Sequence, residues 1–145
     1  MSIKDITKLN DKEKNKYFND ILNGHTIVKA DNDKLILDNG VVLTMFQSEF
    51  DCCSIAEGTW EIINNAENKG ITDVEVNYNE DNEENYIAIN ILHDNNLIAT
   101  GNGFANTGSS YMYFSSLSLK VTVEDNTEEE TVILRDYNST NVYNR

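Results

Sequence analysis

The pattern of apolar and polar residues in the first part of this chain predicts a helix. Residues 12–23 show helical spacing, with Asp11 as the expected N-cap and Gly24 as the C-terminal stop. Its apolar face consists of Tyr17, Phe18, Ile21 and Leu22. Because these side chains share one stripe, the helix is expected to pack that stripe against a core.

A second helix is predicted to begin at Ser54, because Ser54-Ile55-Ala56-Glu57 matches a capping box. Its apolar face would consist of Ile55, Trp60, Ile62, Ile63 and Ala66. Lys69-Gly70 supplies an end signal. Gly58 costs about 1 kcal/mol relative to alanine inside a helix, so the body of this helix is better supported than its start.

Alternation with a period of two predicts strands over much of the remaining chain. Asn39-Gly40 lies between apolar runs at 34–38 and 41–46, which predicts a hairpin with a type I′ turn. Further strands are expected at 25–30, 71–78, 86–93, 97–101, 111–124 and 131–137. The resulting fold class is α+β, with two helices packed on a twisted, mainly antiparallel sheet of about six to eight strands.

The chain length of 145 residues predicts one domain. An N-terminal helical segment (1–24) precedes an α+β core (25–137) and a polar tail (138–145). No apolar run approaches the roughly 20 residues that a membrane-spanning helix requires. The N-terminus lacks the apolar stretch of a secretory signal, so a cytoplasmic protein is expected.

Charge is divided unevenly along the sequence. Residues 1–34 contain seven lysines and six acids, whereas the rest of the chain contains four cations and nineteen acids. An acidic body of this kind repels nucleic acid and anionic lipid headgroups and attracts basic surfaces. The expected partner is therefore a protein with a basic surface, such as a nuclease, with no direct nucleic-acid or membrane binding. The sequence leaves the oligomeric state open.

Acidic residues are densest in two predicted turns. They are Glu80, Asp81, Glu83 and Glu84 in the first turn, and Glu124, Asp125, Glu128, Glu129 and Glu130 in the second. Carboxylates a few ångströms apart on a sheet could imitate a row of DNA phosphates and bind the groove of a nucleic-acid-binding protein. The alternative is that they serve only solubility.

Asp51-Cys52-Cys53 is the most distinctive short string in the sequence. A thiolate at a helix N-terminus would be a candidate nucleophile, with His25 or His93 as its base. The alternative is that the cysteines pack a junction between two elements. Adjacent cysteines and two distant histidines match no standard zinc spacing, so neither a metal nor another cofactor is expected.

A Gly/Asn/Ser-rich segment spans residues 101–110 and is predicted to be a flexible connection between strands. It could present backbone N–H groups to a small ligand, although it lacks the lysine of a P-loop. The residues expected at such a site are Gly101, Gly103, Asn106, Gly108, Tyr111 and Tyr113.

Three short strings resemble a domain family of unknown function that is common in bacteriophage genomes. They are Leu22-Asn23-Gly24-His25-Thr26-Ile27, Leu35-Ile36-Leu37-Asp38-Asn39-Gly40 and the Asp51-Cys52-Cys53 triplet, and Tyr111-Met112-Tyr113 looks like a later region of that family. The resemblance covers roughly residues 22–124, while the lysine-rich first helix and the acidic last hairpin depart from it.

The resemblance implies a phage or prophage protein, and small acidic phage proteins are often anti-CRISPR or anti-restriction inhibitors. The first hypothesis is therefore a non-enzymatic inhibitor that binds a host defence protein through an acidic, DNA-mimicking surface. A binder of a nucleotide second messenger is the alternative, and a thiol-dependent enzyme is the third hypothesis.

Overall fold

The protein was analysed as a computed structural model, which describes residues 2–50, 54–81, 84–107, 114–123 and 129–137. Within these residues the chain forms one α-helix, one short 3-10 helix and ten strands. The helices are α1 (Asp11–Leu22) and the 3-10 helix (Ile6–Lys8). The strands are β1 (Ser2–Asp5), β2 (Ile27–Asp31), β3 (Lys34–Leu37), β4 (Val42–Phe50), β5 (Ala56–Ile62), β6 (Asp73–Glu80), β7 (Glu84–His93), β8 (Asn96–Asn106), β9 (Ser115–Thr122) and β10 (Glu129–Tyr137).

The strands form two sheets that share one core. The six-stranded sheet has the order β1-β10-β9-β4-β3-β2, and the four-stranded sheet has the order β5-β8-β7-β6. All neighbouring strands are antiparallel except β1, which pairs in parallel with β10. Both sheets and α1 contribute side chains to a single buried apolar cluster. The described chain is therefore mostly β.

The predicted α+β class with two helices on one sheet is wrong, because residues 56–62 form strand β5. Ala56 and Trp60 are buried while Glu57, Thr59 and Glu61 are exposed, which is the period of a half-buried strand. β5 pairs along its whole length with β8. This pairing outweighs the local capping-box signal, since tertiary contacts override weak propensities.

The hairpin that the sequence predicts at Asn39-Gly40 is confirmed, but its turn is of a different type. β3 and β4 pair around Asn39-Gly40 as expected. Only Gly40 has a positive φ (85°), and its N–H donates to Leu37 O at 3.1 Å. The connection is thus a three-residue loop ending in a left-handed glycine, not a type I′ turn. Between β7 and β8, Asp94 and Asn95 do both have positive φ, as a type I′ turn requires.

Glycines allow the two sheets to approach each other closely. A Cβ on Gly58 would lie 2.2 Å from Met45 Sδ, and one on Gly103 would lie 2.3 Å from Leu117 Cδ2. Met45 and Leu117 are buried in the opposite sheet, and Gly58 and Gly103 are direct partners across β5 and β8. These positions therefore require glycine because of close packing.

Helix α1 covers the open edge of β6. Asn15, Asn19 and Asn23 recur every fourth residue and so share one face of the helix and its C-cap. Asn15 Oδ1 accepts from Val76 N–H at 2.7 Å, Asn19 Nδ2 donates to the Val74 carbonyl at 3.2 Å, and Asn23 Nδ2 donates to the Thr72 carbonyl at 3.0 Å. The asparagine amides thereby satisfy backbone groups that an edge strand would otherwise leave open.

Replacing Asn15 with alanine is expected to lower the free energy of unfolding by about 1–2 kcal/mol, because the Val76 N–H loses its acceptor. The measurement is urea denaturation. Lys16→Ala is the matched control, since Lys16 is on the same helix and its ion pair among the described residues is an exposed one with Asp20. That change should cost less than about 0.5 kcal/mol. Equal losses in the two variants would contradict the role of Asn15 at the edge.

A buried arginine joins the two sheets. Arg135 on β10 is 7% exposed, and its guanidinium lies 3.9 Å from the ring centroid of Tyr78 on β6. Its Nε donates to the Tyr86 carbonyl at 3.1 Å, and Nη2 donates to the Asn79 carbonyl and to Glu80 Oε1, both at 3.3 Å. Lys14 Nζ lies 3.9 Å from the same Tyr78 ring centroid. Two cations therefore contact the ring of Tyr78.

No helix in the described ranges is long and apolar enough to cross a lipid bilayer.

Candidate binding face

The outer surface of the four-stranded sheet is strongly acidic. Its outward positions are Glu57, Thr59 and Glu61 on β5; Thr100, Asn102, Phe104 and Asn106 on β8; Glu84, Tyr86, Ala88 and Asn90 on β7; and Asp73, Glu75, Asn77 and Asn79 on β6. None of these positions carries a lysine or an arginine. We call this surface the acidic face.

Three carboxylates of the acidic face make no ion pair or hydrogen bond with any residue in the described ranges. They are Glu57, Glu61 and Glu75, and all three are exposed. Asp73 differs, because its Oδ1 accepts from Asn19 Nδ2 at 3.1 Å and from Val74 N–H at 2.9 Å. The unpaired carboxylates are thus available to an external cation, whereas Asp73 has a structural role.

A cavity of about 310 Å³ opens on the acidic face, between β5, β8 and β7. Its lining consists of Glu57, Gly58, Thr59, Tyr86, Asn102, Gly103 and Phe104. Glu57, Phe104 and Tyr86 occupy one row across the three strands. Two aromatic rings, an amide, a hydroxyl and a carboxylate therefore meet in one concavity.

Two carboxylates hold the hydroxyl of Tyr86. Its single proton is shared between Glu84 Oε2 and Asp81 Oδ2, and the hydroxyl oxygen lies 3.1 Å from Asp81 Oδ2. The Glu84 hydrogen bond, followed by partial burial and the Asp81 hydrogen bond, raises the pKa of Tyr86 well above its usual range. The phenol therefore stays neutral at physiological pH, and its ring is fixed at the wall of the cavity.

The first predicted acidic turn lies at one end of the acidic face, but its three described carboxylates have internal partners. Glu80 pairs with Arg135, while Asp81 Oδ1 accepts from Glu84 N–H at 2.9 Å. Asp81 and Glu84 also hold Tyr86. Glu83 lies outside the described residues.

The second predicted acidic turn belongs to the other sheet. Glu129 and Glu130 begin β10, and Glu130 lies near Tyr17, where burial, followed by the Glu130 charge, raises the pKa of the Tyr17 phenol. Glu124, Asp125 and Glu128 lie outside the described residues. The described parts of the two turns therefore belong to different sheets.

The predicted ligand segment is largely a strand. Gly101, Gly103 and Asn106 belong to β8, so the expectation of a flexible connection at 101–106 is wrong. Gly103 lines the cavity, Gly101 is buried against Trp60, and Asn106 Oδ1 accepts from Ile55 N–H at 2.7 Å. Gly108, Tyr111 and Tyr113 lie outside the described residues.

The Asp51-Cys52-Cys53 triplet lies outside the described residues, between β4 of one sheet and β5 of the other. Both candidate bases have structural partners. His25 Nδ1 lies 3.0 Å from Asp38 Oδ1, and His93 Nδ1 lies 2.6 Å from Gly70 O. In the described ranges no three His, Cys, Asp or Glu side chains are grouped so that they could hold a metal ion.

Sequence reasoning found one lining residue of the cavity, Gly103 in the predicted ligand segment, and missed the others on β5, β7 and β8. Glu57, Thr59 and Glu61 alternate with inward residues, a strand signal that the helix assignment of this segment concealed. Tyr86 lies in the strand predicted at 86–93, and Phe104 lies just after the strand predicted at 97–101. Their proximity depends on the register of β7 with β8. Besides the predicted ligand segment at 101–110, the alternation in β5 is thus a signal that could have identified part of this site.

Comparison with known families gives one result. Residues 4–120 match a domain of unknown function, DUF7448. Comparisons with curated proteins and with solved structures gave no significant match. The matched region contains the whole four-stranded sheet and its acidic face. The chain therefore belongs to the DUF7448 family of unknown function.

Proposed function

We propose that this chain is a binding protein whose acidic face docks on the basic surface of a partner protein. The observation that carries the proposal is the combination of three carboxylates without an ion pair to any described residue, Glu57, Glu61 and Glu75, with outward strand positions that carry no lysine or arginine. A net charge of −14 adds a long-range attraction toward basic partners.

The geometry of a sheet suits such a role. Side chains two residues apart on a strand project from the same side roughly 6.6–6.8 Å apart, and neighbouring strands are about 4.8 Å apart. The paired strands hold these carboxylates in a fixed arrangement. Binding a partner therefore costs little conformational entropy beyond that of the glutamate side chains. A basic surface that normally binds phosphates is the complementary partner.

The specific form of the proposal is a bacteriophage accessory protein that acts in the host cytoplasm and blocks a nuclease of a defence system. Occupying the groove of such an enzyme requires neither catalysis nor a cofactor. In cleavage assays with purified CRISPR and restriction nucleases, this form predicts inhibition that falls when the acidic face is neutralised. A lack of inhibition across the panel would count against the anti-defence role.

Neutralising the acidic face is expected to weaken binding to a basic probe about tenfold at low salt. The variant combines Glu57→Gln, Glu61→Gln and Glu75→Gln, and about 0.5 kcal/mol for each exposed charge gives this factor. The measurement is fluorescence anisotropy of a labelled oligoarginine peptide. Raising salt from about 0.1 M to about 1 M shortens the Debye length from about 10 Å to about 3 Å and should abolish most wild-type binding.

The matched control removes three exposed acids elsewhere, at Asp20, Asp31 and Glu67. It has the same net charge as the face variant, so it separates a local surface from total charge. The control should retain most of the wild-type affinity. Equal losses in the two variants, or wild-type affinity that does not change with salt, would refute the proposal.

A small-ligand binder is the second candidate, because the cavity of about 310 Å³ falls within the size range of ligand pockets. The surrounding carboxylates disfavour anionic ligands such as nucleotide second messengers. A thermal-shift panel of cyclic nucleotides tests this alternative, and a rise in the unfolding temperature with any of them would support it.

A further inference from the structure

The cavity on the acidic face has two aromatic walls. Tyr86 and Phe104 are opposite each other across β7 and β8, with ring centroids 6.5 Å apart and ring planes inclined by 55°. The Tyr86 hydroxyl shares its proton between Glu84 and Asp81, which fixes the ring and increases its electron density. Both rings are partly exposed, and both line the cavity. Electron-rich faces of this kind attract cations.

A free carboxylate and two polar groups complete the lining. Glu57 is the partner of Phe104 on the side opposite Tyr86 and has no ion pair with any described residue. In the next row, Thr59 is the partner of Asn102. Asn102 Nδ2 donates to Thr100 Oγ1 at 3.4 Å, which leaves its amide oxygen free to accept. Carboxylate, amide and hydroxyl oxygens are all acceptors, and they match a ligand that has several N–H donors.

We infer that this cavity receives the guanidinium of an arginine side chain from the basic partner, an inference that rests on the proposed function. The planar guanidinium can stack on an aromatic ring and donate two parallel hydrogen bonds to the Glu57 carboxylate. A lysine ammonium is a compact, strongly hydrated charge that cannot make this bidentate contact. The cavity thus supplies side-chain selectivity beyond general charge attraction.

Arginine selectivity is tested with an oligoarginine and an oligolysine peptide of equal length and charge. The wild-type protein is expected to bind oligoarginine about five- to tenfold more tightly than oligolysine. Glu57→Gln removes the carboxylate charge, and Phe104→Leu removes one aromatic wall while keeping an apolar side chain. Each change should bring the ratio of the two affinities close to one. Thermal unfolding of each variant checks that the fold is intact.

Glu61→Gln is the matched control, because it removes the same charge from the same face of β5 outside the cavity lining. It should lower both affinities slightly and leave their ratio unchanged. Equal wild-type affinities, or a ratio that Glu61→Gln reduces as much as Glu57→Gln does, would overturn the inference. If both peptides bind equally and with salt sensitivity, only the arginine site fails; if neither binds, the proposed function fails with it.

Discussion

Replacing Gly101 with valine is expected to lower the free energy of unfolding by about 3 kcal/mol. A Cβ at this position would lie 2.6 Å from Trp60 Cζ3 and 2.7 Å from Met45 Cε. Trp60 and Met45 are 3% and 2% exposed, so neither side chain can move into solvent without opening the core. Valine has a higher strand propensity than glycine, and a net loss would therefore report the steric conflict.

Urea denaturation provides the measurement, with Gly70→Ala as the matched control. A Cβ on Gly70 would meet no heavy atom within 4 Å, and its φ is not in the left-handed region. The control should leave the unfolding free energy within about 0.5 kcal/mol of wild type or raise it slightly. Wild-type stability in the Gly101→Val variant would contradict the close packing of the two sheets.

Replacing Arg135 with methionine is expected to cost about 2–4 kcal/mol of unfolding free energy. Methionine keeps an unbranched apolar side chain but leaves the carbonyls of Tyr86 and Asn79 without this donor. The stacking contact with Tyr78 is lost as well. Because Arg135 holds the backbone of Tyr86 from beneath, the variant should also weaken the preference of the cavity for arginine.

Glu80→Gln separates the ion pair from the other contacts of Arg135. The Glu80 side chain is 50% exposed, so its 3.3 Å pair with Arg135 is solvent-screened and should be worth less than about 1 kcal/mol. Urea is used as the denaturant, because guanidinium chloride is a salt and would screen the ion pair. A loss in Glu80→Gln as large as that in Arg135→Met would mean that the ion pair, and not the buried hydrogen bonds, connects the sheets.

Local signals in the sequence were sufficient for several elements. The helix predicted at residues 12–23 is α1 at Asp11–Leu22, with Asn10 in place of Asp11 as its N-cap. The Asn39-Gly40 hairpin formed because a glycine with positive φ reverses the chain there. In these segments the hydrophobic period and the turn chemistry agree, so nearby residues determine the local structure.

Contacts between residues distant in sequence determine the structure of the segments that local patterns did not predict. Gly58 looked like a weakness in a helix, yet in β5 it makes room for Met45 of the other sheet. The parallel pairing of β1 with β10 joins opposite ends of the chain, and no local pattern encodes it. The division into two sheets likewise depends on which strands pair, which alternation alone does not specify.

The candidate site follows the same rule. The acidic composition indicated a basic partner, but the densest acidic run supplies partners for Arg135 and Tyr86. The unpaired carboxylates of the acidic face are instead Glu57 and Glu61 on β5 and Glu75 on β6, and Glu75 joins the surface of the other two only after β5, β8, β7 and β6 have paired. Density of charge along a sequence is therefore a poor guide to charge available on a folded surface.

The most direct test of the acidic face as the binding surface is a map of backbone amide shifts in the NMR spectrum as oligoarginine is added. The account predicts the largest shift changes on β5, β8 and β7, at Glu57, Thr59, Asn102 and Phe104 around the cavity. Those changes should disappear in the variant that neutralises Glu57, Glu61 and Glu75. Shift changes confined to the six-stranded sheet or to helix α1 would contradict the account.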